Sequence, residues 1–274
     1  VGPFLNGLHF FFGVGSFLAP AMVAQAFARG VGLQWVYWTI ASLLALVAIV
    51  VVALPSPARR LASTAREGPP PRDRVLVILV MASLAAYAGV ELGFGGWVFT
   101  YATDRRSMAP ASAAYLTSMY WGAFMLGRLV SIPVMSSLAR RDEGRPGRSG
   151  GGTSCRILEI ALASSAVALA ILLWSNGERS LWIGTAVLGF SIGPIFPTLF
   201  TVAEQRLKLS GRITSFFLVG AGLGAMVIPW AMGLAMHRFG TGVLLPSVGA
   251  CLGLLLAFYR AMTPSLYAVS LKPH

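Results

Sequence analysis

The sequence predicts an all-α, polytopic membrane protein of about eight transmembrane helices, and three observations carry that prediction. Of 274 residues, 56% are hydrophobic and only 11% are charged, against about 25% charged in soluble globular domains. The apolar residues are not gathered in one tail. Eight runs of at least 18 residues cover 3–28, 34–54, 75–103, 110–138, 157–174, 180–204, 212–238 and 241–262, each long enough to cross a ~30 Å hydrocarbon core as a helix. None shows the ten-residue alternation of polarity that marks a transmembrane strand.

Taken in order, the first run contains "GVGSFLAP" (13–20) and carries Asn6 and His9 as polar candidates. A single histidine in a helix is usually hydrogen-bonded to a neighbour, so both readings stand for His9. The second run ends at the longest hydrophilic stretch, "PSPARRLASTAREGPPPRDR" (55–74), whose proline and arginine content reads as a linker. The third contains "GVELGFGGWVF" (89–99), with Glu91 near its centre. A carboxylate at that depth costs roughly 2.5–3.5 kcal/mol on insertion scales, so it calls for a partner or a proton. Tyr87, Glu91, Phe94, Gly95 and Val98 share one helical face. Gly89, Gly93, Gly95 and Gly96 weaken the helix and allow bending or close approach. Glu91 is therefore read as a solute- or ion-handling group, with a packing role as the alternative.

In the fourth run Thr117, Trp121, Phe124 and Arg128 recur at spacings of four, three and four, on one face. Arg128 lies at nearly the depth of Glu91, within reach of a long side chain. The pair is expected to form in one conformation and to exchange when solute or a proton binds; a permanent pair or a gate are the alternatives. Tyr120, Trp121 and Trp97 have the amphipathic rings that stack on sugars, although rings of this kind also fill helix contacts. Cys155 opens the fifth run and Cys251 lies in the eighth, and neither spacing suggests a disulfide or a metal site. In the sixth run Pro194 and Pro197 remove backbone donors and predict a kink. The seventh contains "GLGAMVIP" (222–229), in which Gly222 and Gly224 suit close helix packing. With Pro229, these glycines repeat the Gly-x-Gly-x4-Pro spacing of the first run.

The net charge of +12 has a positional meaning. Five arginines lie between the second and third runs (Arg59, Arg60, Arg66, Arg72, Arg74) and five between the fourth and fifth (Arg140, Arg141, Arg145, Arg148, Arg156). Arg206, Lys208 and Arg212 lie between the sixth and seventh, and Arg260 and Lys272 near the end. If the runs alternate, these share one side, while Arg29, Arg105, Arg106, Arg179 and Arg238 take the other. That asymmetry places the linker and the C-terminus in the cytoplasm of a multi-pass protein of the cell (plasma or inner) membrane. No loop is long enough to present the basic face of a soluble nucleic-acid-binding domain, so no nucleic-acid partner is expected.

The repeated spacing recurs six runs apart, in helices of one direction, which is the parallel six-helix repeat of some transporters. The motifs "LNGLHFFFGVGSFLAP", "GVELGFGGWVFTYAT", "YLTSMYWGAFMLGRLVSIPVMSSL", "GFSIGPIFPTLFT" and "GAGLGAMVIPWAMG" resemble the major facilitator superfamily. Within it they look like the fucose–proton symporter family and its sodium-dependent glucose transporter-like branch. The resemblance implies a major-facilitator-type bundle in which the eight runs match helices five to twelve of twelve, an N-terminally incomplete fold. It implies that 1–54 ends one six-helix half, 55–74 is the cytoplasmic linker, 75–264 forms the other half and 265–274 is a tail. The family's coupling carboxylates lie in its first and fourth helices, outside the matched part.

The expected function is secondary transport of a sugar or similar small polar solute by alternating access, without a cofactor but coupled to H+ or Na+. The expected partners are the solute and the lipid bilayer, with the protein a monomer. Glu91, Arg128, Trp121, Tyr120, Tyr87, Trp97, Asn6 and His9 are the binding or coupling candidates, and Gly95, Pro197, Gly222, Gly224 and Pro229 the gating or packing ones. A transport-incompetent fragment, a channel and a membrane enzyme are the alternatives. An enzyme would show clustered catalytic residues, whereas the three histidines, His9, His237 and His274, are scattered. No phosphate-binding loop of the ATPase type occurs either.

Overall fold

The computed structural model describes residues 2–55, 74–143, 151–174, 177–204, 207 and 210–267. Side chains are described from Phe11 onward, except at 135–136, 138–143, 151, 153 and 263–267. Asn6 and His9 fall on the first helix, but their side chains lie outside the described residues, as do 56–73 of the linker and 268–274 of the tail.

The described residues form α1 (Gly2–Ala28), α2 (Gln34–Ala53), α3 (Arg74–Thr100), α4 (Pro110–Glu143), α5 (Gly151–Trp174), α6 (Glu178–Ile192), α7 (Ile195–Glu204), α8 (Gly211–Phe239) and α9 (Leu244–Tyr267). The eight apolar runs are thus nine helices, because the sixth is divided into α6 and α7 at Gly193–Pro194. α9 runs to Tyr267, three residues into the segment expected to be a tail.

The ends of these helices follow from local chemistry. α1 closes with Gly30 in the left-handed region (φ 64°); Val31 N–H reaches Ala26 O at 2.9 Å and Gly30 N–H reaches Phe27 O at 3.3 Å. This paired closure needs a residue without a Cβ penalty at position 30. Ser210 caps α8 by accepting from Ile213 N–H at 3.3 Å. α3 ends in one π turn, Tyr101–Arg105, and Arg106 then ties that end of the bundle together. Its Nε donates to the Tyr101 hydroxyl at 3.1 Å and its Nη2 to Leu172 O at 3.1 Å.

Among the described residues, seven stretches are long and apolar enough to cross a membrane: Phe11–Ala28, Gln34–Ala53, Arg74–Arg105, Ser154–Trp174, Glu178–Glu204, Gly211–Phe239 and Thr241–Met262. α4 is not among them, because Arg128 and its many Ser, Thr, Tyr and Trp residues lower its hydropathy. Those polar groups turn inward: Thr117, Ser118, Tyr120, Trp121 and Ser131 are all buried. A helix that is poor in hydropathy yet buried by its neighbours still belongs to a membrane bundle.

The directions of packing confirm that successive helices alternate. Between α3 and α8, Met81 and Ala85 lie against Gly220 and Gly224, and Ile228 and Met232 lie against Gly89 and Gly93. The residue numbers rise together, so these helices are parallel and advance four residues per contact. α4 and α6 are parallel too, with Tyr120 at Gly189 and Phe124 at Gly193. α1 runs antiparallel to α4: Met125 faces Gly13, Gly122 faces Phe17, and Gln25 is hydrogen-bonded to Tyr115. Ser118 Oγ also donates to Phe17 O at 2.6 Å.

The core lies within α3–α9, around Tyr87, Phe94, Tyr120, Phe124, Leu188 and Phe217. α2 stands apart from it. Only Val36 of that helix is buried, and Trp38, Leu44, Ile49 and Val52 are exposed, a wholly apolar surface suited to lipid or other helices.

Candidate functional site

The site is built where α3, α4 and the α6–α7 joint meet. Glu91 lies near the middle of the Arg74–Arg105 span and is half-buried. One turn earlier, Tyr87 is buried, 1% exposed. Its hydroxyl accepts from Arg128 Nη2 at 3.2 Å and shares a hydrogen bond with the Glu91 carboxylate. A phenol has one proton to give and lone pairs to accept with, so it donates to the carboxylate and accepts from the guanidinium. Tyr87 thus bridges Glu91 and Arg128, which also act on one another directly through their charges; the sequence placed Tyr87 on the same face without assigning it this position.

Arg128 reaches further. Its guanidinium lies 4.5 Å from the centroid of the Phe124 ring, a favourable cation–π position, and its Nε donates to Gly193 O at 3.3 Å. The availability of that carbonyl is written in the sequence. In an unbroken helix Gly193 O would accept from the N–H of residue 197, and Pro197 has none. Pro194 in the same way frees Phe190 O, which packs against Gly127, where there is no room for a Cβ. The two prolines thus turn two carbonyls towards neighbouring residues of α4. α6 closes on Gly193 N–H to Gly189 O at 3.3 Å, and α7 opens on Thr198 N–H to Pro194 O at 3.1 Å.

The aromatic candidates have definite partners. Tyr120 is fully buried and its hydroxyl donates to the backbone carbonyl of Glu91 at 2.8 Å. It fixes the backbone of the carboxylate, in keeping with the helix-contact alternative for its ring. Trp121 is 8% exposed and meets Tyr120, Phe124 and Phe12 edge-on, with centroids 5.1, 5.7 and 6.4 Å away. Gly95 makes room for this pair: a Cβ there would stand 2.6 Å from Trp121 and 2.7 Å from Tyr120. Trp97 donates its indole N–H to Pro229 O at 2.8 Å and covers Gly233. Its polar handle here joins α3 to α8.

Of the packing candidates, Gly224 lies against the backbone of Ala85, as expected for close approach, whereas Gly222 is exposed with nothing within 4 Å of a built Cβ. The shared Gly-x-Gly spacing joined two residues that face opposite ways. Sequence reasoning missed Phe124 as the platform for Arg128 and Gly193 as its acceptor. The spacing of Pro197 from Gly193 could have revealed the second. Both cysteines are buried and form no disulfide among the described residues.

Residues 4–229 match the model of the Major Facilitator Superfamily, and the chain belongs to that superfamily. Among its relatives, sodium-dependent glucose transporter 1 of Homo sapiens is 27% identical, with 99% of this chain and 56% of the human protein covered. Sodium-dependent glucose transporter 1A of Mus musculus is 25% identical over 99% of this chain and 69% of its own length. Major facilitator superfamily domain-containing protein 4A of Xenopus tropicalis is 33% identical over 67% of this chain and 32% of its own length. The chain spans little more than half the length of the first of these relatives.

Proposed function

We propose that this chain contributes to a secondary transporter that moves a small polar solute, a sugar, by alternating access with H+ or Na+ as the coupling ion. The observation that carries the reading is Glu91, a carboxylate held at mid-span beside Tyr87 and Arg128. A membrane-embedded acid linked to a base marks a solute or ion path by default. The glucose-transporting relatives support a sugar as the solute.

In this reading α1 and α2 belong to one six-helix half and α3–α9 to the other, joined by the 55–74 segment on the cytoplasmic side. The packing supports this division, since α1 meets the remainder chiefly along α4 and α2 scarcely meets it.

The test is uptake of labelled hexoses into proteoliposomes, comparing this chain with a version extended to the length of its relatives. Uptake that Glu91→Gln reduces at least tenfold supports the reading. Collapse by a protonophore would assign H+, and a sodium requirement would assign Na+. Full uptake by Glu91→Gln, with unchanged ion dependence, would overturn the role of Glu91. A second reading, a part that transports only when joined to further helices, is favoured by the coverage of the relatives. It predicts uptake by the extended version alone.

A further inference from the structure

We propose that Arg128 is a positioning residue that couples the Tyr87–Glu91 pair to the joint between α6 and α7, acting as a clip on a carbonyl that Pro197 leaves without a helical donor. The inference deepens the transport reading above and rests on it for the meaning of the coupling, but not for the clip itself.

The chemistry is that of one planar fork serving two partners. Arg128 Nε is committed to Gly193 O at 3.3 Å and Nη2 to the Tyr87 hydroxyl at 3.2 Å. Phe124 lies under the guanidinium, its ring centroid 4.5 Å away, and limits how the plane can turn. Because the guanidinium is rigid, a displacement of the Tyr87 phenol is transmitted to the Gly193 carbonyl. Tyr87 also shares its hydroxyl with Glu91, which acts on Arg128 directly as well, so a change at the carboxylate reaches the guanidinium, and through it the joint, by both routes. The joint is the place where the helix ladder is weakest. Two interruptions, at Pro194 and Pro197, fall at the start and in the first turn of α7, and an exchange of hydrogen-bond partners there re-aims it without breaking other helical rungs.

Proline is essential to this device. With an amide at position 197, Gly193 O would regain its own helical donor, and Arg128 would have a competitor. The structure therefore predicts a strong dependence on Arg128 with Pro197 present and little dependence without it, which a purely packing role for the arginine does not.

The experiment uses the full-length protein in liposomes, with spin labels at Glu204→Cys on α7 and Val130→Cys on α4 and the two native cysteines replaced. Both labelled positions are exposed. Arg128→Gln is expected to add a second distance population between the labels, raising the displaced-to-clipped ratio by about ten- to a hundredfold, the worth of one hydrogen bond from a charged donor. In the Pro197→Ala background the same substitution is expected to change that ratio by less than about twofold. An equal effect of Arg128→Gln in both backgrounds would overturn the clip.

Should Arg128→Gln fail to fold, Pro197→Ala alone still decides. The new amide at position 197 is expected to exchange slowly with solvent, and a freely exchanging amide there would sink the proposal. Tyr87→Phe is expected to leave the label distances as in the parent while weakening their response to Glu91→Gln. An undiminished response in Tyr87→Phe would overturn the part of the phenol in that coupling. Hexose uptake by the unlabelled parent is measured separately. Its absence would remove the transport reading while leaving the distance results, and so the clip, standing.

Discussion

At the scale of single residues, most of what surrounds Glu91 is structural support rather than open binding surface. Tyr120 spends its hydroxyl on the Glu91 carbonyl at 2.8 Å. Tyr120→Phe should therefore lower stability by about 1 kcal/mol, the net worth of such a bond, and lower the melting midpoint in detergent. Gly95→Ala drives a methyl into Trp121 and Tyr120, 2.6 and 2.7 Å away. Overpacking of this kind costs about 1–3 kcal/mol, so a larger drop in the same melting experiment is expected. Thr185 supplies the opposite sign. Its hydroxyl is buried with no hydrogen-bond partner among the described residues, and Thr185→Val should raise stability by about 1 kcal/mol by removing an unpaired polar group. A lower midpoint would mean that the hydroxyl has a partner after all. The identity of these residues was legible in the sequence, and Glu91 in particular announced itself by its depth. Their partners were not, because helical spacing fixes which side chains share a face but not which face meets which neighbour.

At the scale of elements, the eight runs match the helices to within about six residues at their ends, since length and hydropathy mark most membrane-crossing helices, α4 excepted. The sequence also foresaw the kink from Pro194 and Pro197, although the outcome is two helices and not a bend. Gly222 shows where motif reading reached its limit. A two-residue spacing on a helix turns by about 200°, so Gly222 and Gly224 cannot serve one interface. Gly224→Leu should push α8 away from Ala85 and abolish well-folded protein, measured by monodispersity after extraction. Gly222→Ala should fall within about 0.5 kcal/mol of the parent, as surface substitutions do, and a strong effect would mean that another element covers that face.

For the whole molecule, alternation of the helices rests on their parallel and antiparallel contacts, while the side facing the cytoplasm rests on the distribution of arginine. The two can be tested together. Cysteines placed at Gly30 and Gly152, both exposed, should be labelled from opposite sides of the membrane by an impermeant maleimide, with Gly152→Cys accessible only from the cytoplasm. Labelling of both from one side would refute the alternation. How the helices come together was not legible from composition, since apolar surface facing lipid and apolar surface facing another helix have the same chemistry. α2 illustrates this, being exposed along nearly its whole length.

The meshing of α3 with α8 has a kinetic meaning. Four successive contacts, each one turn further along, act like the teeth of a rack. A slip between the two helices would have to clear a full turn, about 5.4 Å, through backbone that already touches at Gly224 and Ala85. Smaller excursions have no resting place. The pair should travel as one beam, so that two probes on α3 and α8 keep their separation through a transport cycle while those astride α4 and α7 do not.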